Sequence, residues 1–413
     1  MENYVNREFQ QLAFFDMVFD KSHGWFCHEY YNALFRMDME SHEINLEAVI
    51  PSPDGNGFCQ YGFLELFDRK LILAPRNAKD ILIYDLDEKF FERVKINLDM
   101  LAPNEIFNLF SGVTAFGKYI FFFPGRYPAI IRINMETLEV TYFNEWYQEL
   151  LKAAIGYDKN RVIFARCNCI CGNCIFLPYW QGNIIVEFNM KTGRYVLHRI
   201  NKAVGQFSCV QYDGKYFWVS MVNIPKIIKW DIDHGILEEY NNLPEDIQIT
   251  SGFSYIEEYN SSIYAVPLYG NMIIKIDKVS YRSEKIRDLL MTPEENLKRY
   301  VLAENNMLCY KRDKNDCVWF YSVFDGKIIK FNLHTLEFEE YRSIINNEED
   351  LKQIVEMTFL TNTGYGRAYE ETGKLSLERY IKYLTCTDAV LQENGNNSNG
   401  NCGYEILKNT IAG

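Results

Sequence analysis

The feature that most constrains this chain is a phrase of short apolar runs that returns seven times along it. The clearest copy, residues 174–200, reads CIFLPYWQGNIIVEFNMKTGRYVLHRI. One run ends at Pro178, a second spans Ile184 to Phe188, and a third spans Tyr195 to Ile200, with Lys191-Thr192-Gly193 as the turn between the last two. In each copy the middle run closes on Asp or Asn: ALFRMD, ILIYD, AIIRIN, IIVEFN, KIIKWD, MIIKID and KIIKFN. Ten positions earlier (eleven in the fourth copy) stand His28, Pro75, Pro124, Pro178, Met221, Pro267 and Ser322, separated by 47, 49, 54, 43, 46 and 55 residues.

Each unit divides into four strands, A to D. In the fifth they are Phe207–Tyr212, Lys215–Ser220, Lys226–Trp230 and Ile236–Tyr240, with His234-Gly235 turning C into D. Asp213-Gly214, Asn260-Ser261 and Gly172-Asn173 supply A–B turns where hairpins need them. A period near 50 residues with four short strands per unit is the pattern of β-propeller blades, and helical repeats would show 3.6-residue patterning instead. The expected fold is therefore all-β: a seven-bladed β-propeller of four-stranded antiparallel blades over 1–342. Two long spacings are assigned to helical insertions near 144–156, opening on Asn144, and near 292–301, opening on Thr292-Pro293-Glu294-Glu295. After Arg342 the repeat stops. Residues 343–413 read as a small helical C-terminal extension, with a flexible linker near 392–402.

Composition narrows the function classes. The chain of 413 residues carries 43 basic and 56 acidic side chains, a net charge of −13, and no basic run. Nucleic-acid binding rests on phosphate neutralisation, so neither DNA nor RNA is an expected partner. The opening MENYVNREFQQLAFF lacks a basic-then-apolar secretion pattern, and no apolar run approaches a membrane span. The expected setting is cytoplasmic, with the 11 cysteines mainly reduced.

Over residues 12 to 342 the period and strand order resemble the β-propeller superfamily. The Gly-Gly doublet of kelch repeats is missing, the Trp-Asp ending occurs once at Trp230-Asp231, and the sialidase-like Asp box is absent. The loosely repeated third strand is similar to that of lactonase and streptogramin-lyase propellers, but no motif transfers their catalytic or metal-binding residues. The resemblance implies that B–C and D–A loops share one face around a central channel. Candidate rim residues on that face are Gln60, Arg76, Asn77, Ser111, Arg126, Tyr179, Trp180, Gln206, Asn223, Ser251 and Tyr269, with Gln181, Asn271, Asn305 and Phe324 beside them. Aromatics, amides, hydroxyls and two arginines suit a small polar ligand, a glycan or a protein partner carrying carboxylates.

Three other features bear on chemistry. RCNCICGNC holds Cys167, Cys169, Cys171 and Cys174. On one regular strand (166–171) the first three repeat at about 6.8 Å, too far apart for one zinc, so only Cys171 and Cys174 across the Gly172-Asn173 turn are candidates to share a metal or a disulfide. His28 is the one histidine expected near the channel mouth, and Glu65, Glu257 and Glu258 are carboxylates expected on strand A. No cofactor motif and no HExxH, GxSxG or phosphate-binding glycine loop occurs. The expected function is a binding or scaffold module working through the loop face. The alternative is a propeller lyase or hydrolase acting on a carbohydrate or modified peptide at the same face.

Overall fold

The computed structural model describes residues 12–28, 32–51, 59–101, 106–200, 205–289, 307–323, 325–347, 349–350 and 353. Seven four-stranded antiparallel sheets follow one another, over 18–49, 61–95, 110–143, 169–199, 207–240, 253–288 and 307–342. In every sheet the strands pair in chain order, A beside B beside C beside D. The molecule is a seven-bladed β-propeller.

Burial explains why the strands differ in composition. Ser262–Pro267 and Cys317–Ser322, the B strands of blades 6 and 7, are buried at every position. Each lies mid-sheet with a neighbouring blade against both faces, so both of its faces must be apolar or hydrogen-bonded. Phe338–Arg342, a D strand, is half-buried or exposed throughout and is charged accordingly.

The Asp or Asn that closes each C strand has a local reason. Asn189 Oδ1 accepts the backbone N–H groups of Lys191 and Thr192, at 3.1 and 2.9 Å. Asp38, Asp85, Asp231, Asp277 and Asn332 likewise take two backbone donors each, and Asn134 takes one. Only a short side-chain oxygen reaches those donors, which is why the repeat is most legible there. Four residues further on, the turn enters the left-handed region in every blade, at His42, Lys89, Leu138, Gly193, Gly235, Tyr281 and Leu336.

Among the described residues the ring closes without exchanging a strand. Leu12 and Ser343 meet across the seam of blades 1 and 7: Leu12 N–H donates to Ser343 O, and Ser343 Oγ donates to Leu12 O, both at 2.7 Å. Leu12 to Phe15 and Met17 join one apolar cluster with Trp319, Tyr321 and Ile345. Beyond blade 7, Asp350 Oδ2 accepts the N–H of Leu46 on blade 1 at 3.1 Å.

Two expectations are refined. The first insertion is a helix over Glu145–Ala153, but Asn144 makes no side-chain cap bond; Trp146 and Leu150 anchor it by burial, and Trp146 Nε1 donates to Phe143 O at 2.8 Å. In blade 4 the A strand is confined to Cys169–Cys171. Cys167 instead forms an isolated parallel bridge to Cys209 of blade 5, because Val210 N–H is within 3.2 Å of Cys167 O. The second insertion near 292–301, the linker near 392–402, Asn305 and Phe324 lie outside the described residues.

Candidate functional site

The loop face is framed by backbone bonds between blades. Leu109, Ile163, Phe207 and Gly252, each entering a blade, donate N–H to Arg76, Gly125, Gly182 and Val222 of the blade before, at 2.8, 2.5, 3.0 and 2.6 Å. At Gly252 a Cβ would lie 1.9 Å from Met221 O, so no other residue permits that approach. Rim amides reinforce the frame. Asn77, Gln181, Asn223 and Asn271 accept the N–H groups of Asn108, Asp158, Gln206 and Gln248, at 3.1, 2.7, 2.8 and 2.7 Å.

Inside this frame lies a cavity of about 170 Å³, walled by Arg76, Phe110, Arg166, Trp180, Ser254 and Tyr310 among others. It sits at the starts of the A strands and forms the channel mouth. Below it, a second cavity of about 440 Å³ runs between the blades, each of which contributes a side chain: Asp16, Phe63, Thr114, Arg166, Gln211, Glu257 and Lys311. Phe63, Ser111, Arg166, Cys167 and Tyr310 border both cavities.

Most polar groups of the mouth are already committed. Ser111 Oγ donates to Pro124 O at 3.0 Å, and Ser208 Oγ to Phe253 O at 2.5 Å. Tyr310 hydroxyl donates to Met307 O and meets Ser254 Oγ, both at 2.6 Å. Arg166 differs: among the described residues its guanidinium makes no hydrogen bond and no ion pair. It is held over the rings of Phe15 and Phe63, at 4.4 and 5.5 Å from their centroids. Burial, followed by the nearby Arg76 charge, lowers its pKa to about 10.

The deeper channel carries a charge set of its own. Burial raises the pKa of Asp16 and Glu65, against the pull of Lys311. Burial works against the Lys311 ammonium, but Asp16 and Glu65 outweigh it and its pKa rises. Glu257, raised by burial, accepts hydrogen bonds from Tyr255 hydroxyl and from Arg312 Nη1, the latter at 2.8 Å.

Of the rim residues read from sequence, the mouth cavity brings together Arg76, Ser111 and Trp180. Arg126 turns outward, its Nε donating to Lys159 O at 3.1 Å. Tyr179 and Tyr269 are buried, Tyr179 in the apolar cluster that holds Trp146. Asn77 and Asn223 serve the frame, Gln206 contributes its backbone to it, and Gln60 O accepts three backbone N–H groups of the B–C turn in blade 2. The Ser251 hydroxyl is buried with no hydrogen-bond partner among the described residues. His28 is buried, its ring centroid 6.0 Å from that of Phe35. Glu257 lines the channel, Glu65 is influenced by Lys311 of that lining, and Glu258 pairs with Lys278 at 2.5 Å.

The cysteines among the described residues are free thiols. Cys171 and Cys174 face each other across the A and B strands of blade 4. Burial drives the Cys169 thiol up, and burial with Glu187 drives Cys174 up to about 11, so both hold their protons at neutral pH. Among the described residues no three His, Cys, Asp or Glu side chains are grouped to hold a metal.

Sequence reading passed over Arg166, Phe15, Asp16 and Tyr310. Among residues at the starts of A strands, Ser111 of blade 3 lines the mouth. Applied to blade 4, the same rule points to the arginine that opens the cysteine run.

Fold and site together define a seven-bladed propeller with a walled axial mouth. No family model and no curated protein matches the chain. Among solved structures, a streptogramin B lyase is similar at 14% identity and a TM-score of 0.53, over 80% of this chain and 95% of that one. Virginiamycin B lyase from Staphylococcus aureus is similar at 15% identity and 0.48, over 68% and 83%. Hsv2 of Kluyveromyces lactis is similar at 10% identity and 0.49, over 80% and 99%. Likeness at this level is likeness of fold. No helix among the described residues is long and apolar enough to cross a membrane.

Proposed function

We infer that this protein is a binding module that receives a small polar ligand, or a side chain of a protein partner, through the loop face into the channel mouth. One observation carries the reading: a walled cavity of about 170 Å³ mixes aromatic and cationic side chains inside a frame fixed by blade-to-blade hydrogen bonds. A preformed, largely apolar cavity with a few converging polar groups is what a ligand site requires, and its rigidity lowers the entropy lost on binding. Trp180 supplies the flat apolar wall that a ring-containing ligand stacks on. The test is a small-molecule panel, including sugars and acidic peptides, screened by thermal shift against the full chain and a Trp180→Ala variant. Saturable binding that is lost in Trp180→Ala supports the reading. Binding that survives the change, or a partner mapped to the outer strands, overturns it.

A lyase or hydrolase acting on a carbohydrate or modified peptide is the second reading. Its support is two carboxyl groups, Asp16 and Glu257, both shifted toward protonation by desolvation and lining one channel with Lys311. Turnover abolished in Asp16→Asn or Glu257→Gln, with ligand affinity retained, favours catalysis over simple binding.

A further inference from the structure

We propose that Arg76 and Arg166 form a clamp for an oxyanion, the carboxylate or phosphate of a ligand seated in the channel mouth. The proposal rests on reading that mouth as a ligand seat and names the chemistry it selects.

The geometry begins with Phe15. Its ring is flanked by two guanidiniums, with Arg76 Cζ at 3.8 Å and Arg166 Cζ at 4.4 Å from the centroid. Stacking fixes both planes without consuming their N–H groups. Arg76 spends part of its fork on Asn108 Oδ1 and on Cys59 Sγ, the latter at 3.2 Å. Arg166 spends none among the described residues. A guanidinium half-buried against two rings is ordinarily offset by a carboxylate, because withdrawing a lone charge from water is costly. The acid closest in influence is Asp16. Its Oδ2 takes the Leu64 N–H at 3.0 Å, and it forms no ion pair with Arg166. The serine and tyrosine hydroxyls of the mouth are committed to carbonyls or to one another. Guanidinium N–H groups are left over in this cavity beside the side-chain N–H groups of Trp180 and Asn108, and only the guanidiniums are charged, with planar forks that match two oxygens of a carboxylate or a phosphate.

Two further facts fit an anion. The pair stands in a chain of net charge −13, so the mouth is a local reversal of the protein's overall field. Arg166 borders both cavities, so an oxyanion held there leaves the rest of a ligand free to extend into the channel below or out past Trp180.

The experiment titrates the full chain with inorganic phosphate, sulfate and acetate against chloride at equal ionic strength, read by calorimetry and thermal shift. The expected result is saturable stabilisation by at least one oxyanion and none by chloride. Arg166→Met should weaken that binding about tenfold or more, and Arg76→Met should weaken it by a smaller factor. Phosphate preferred over acetate identifies a phosphorylated ligand, and the reverse identifies a carboxylate. No saturable response of the unmodified chain to any of the three anions overturns the proposal. So does unchanged affinity in Arg166→Met with an intact circular dichroism spectrum. If that variant does not fold, Arg166→Lys serves: it keeps the charge, loses the fork and should still bind more weakly. Failure of the clamp is separable from failure of the mouth. A neutral ligand lost in Trp180→Ala but kept in Arg166→Met sustains the mouth and overturns the clamp. Oxyanion binding with no Trp180-dependent ligand sustains the clamp alone.

Discussion

Asp213 and Trp218 are joined by a hydrogen bond of 2.7 Å from indole Nε1 to Oδ2, across the A–B turn of blade 5. The other carboxylate oxygen of Asp213 takes the N–H groups of Lys215 and Tyr216. Asp313 does the same for Asn315, Cys317 and Trp319, and Asp20 for Ser22, His23 and Trp25. In these three blades one carboxylate both shapes a turn and satisfies a buried ring. Asp213→Ala strips the turn of its acceptor and leaves a buried indole N–H unpaired. The expected loss is about 1–3 kcal/mol, measured by urea unfolding at pH 7.

These carboxylates also set the acid limb of stability. Burial raises the pKa of Asp213, but the Trp218 indole and two backbone donors outweigh it, and the net shift is downward. Backbone donors lower Asp38, Asp85 and Asp277 in the same direction, and His234 together with backbone donors lowers Asp231. A depressed folded-state pKa contributes stability above the unfolded value and loses it as pH falls through the folded one. Asp16, Glu65 and Glu257 are raised and have the opposite sign, so their contribution grows as pH falls toward the unfolded value. Urea midpoints should therefore hold level or rise slightly from pH 7 to about 5, then fall steeply below about 4. Replacing Asp213 with Asn should blunt the acid fall.

The C–D turns permit a paired test of backbone strain. Gly193 has φ +73°, and a Cβ there would lie 2.4 Å from Phe143 Cε1. Leu336 holds the same turn position in blade 7 at φ 60°, with its side chain partly exposed. Gly193→Ala adds left-handed strain and a clash, for a loss of about 2 kcal/mol or more. Leu336→Gly relieves strain and gives up little packing, so thermal melting should show no loss, or a gain of about 0.5–1 kcal/mol.

Leu12 and Ser343 form the backbone seam of ring closure. Ser343 is fully buried and exchanges two hydrogen bonds with Leu12, its N-terminal counterpart across the ring. Ser343→Ala removes the hydroxyl and leaves Leu12 O short of a partner, for a loss of about 1–2 kcal/mol. Hydrogen exchange should then quicken in blades 1 and 7 while blades 4 and 5 keep their protection. Uniform loss of protection around the ring would show that the seam is not a local weak point.

The architecture was legible because its signal is local. Asn189 and Asp231 must each present a short oxygen at one position of one turn, and that need recurs in every blade. The site was legible where a loop position alone puts a side chain at the mouth, as for Arg76 and Trp180. Asn77 and Asn223 read as polar rim residues, yet Asn77 caps the entry of the next blade and Asn223 the entry of its own, roles set by how the chain packs where each blade begins. Arg166 is marked in the sequence only by its place at the head of the cysteine run. What makes it chemically distinctive is Phe15, brought from the N-terminal segment by ring closure, and the absence of a pairing acid among the described residues.

That unpaired charge has a consequence for the protein without ligand. Arg166 is half-buried near Arg76, and desolvation and like charge together bring its pKa to about 10. Both the folded and the unfolded chain keep it protonated at pH 7, so the penalty is constant across the neutral range and does not appear as a pH slope. It appears on substitution. Arg166→Met retains the stem packed over Phe15 and Phe63 and discards the charge. The variant should melt higher than the parent by the equivalent of about 1–3 kcal/mol, discounted toward the lower figure because part of the guanidinium faces the channel. A residue kept for stability loses stability when removed, whereas one kept for a ligand raises it. A lower melting temperature for Arg166→Met in anion-free buffer would mark Arg166 as a structural strut. A higher one, together with lost oxyanion binding, would mark it as a site residue that burdens the empty fold.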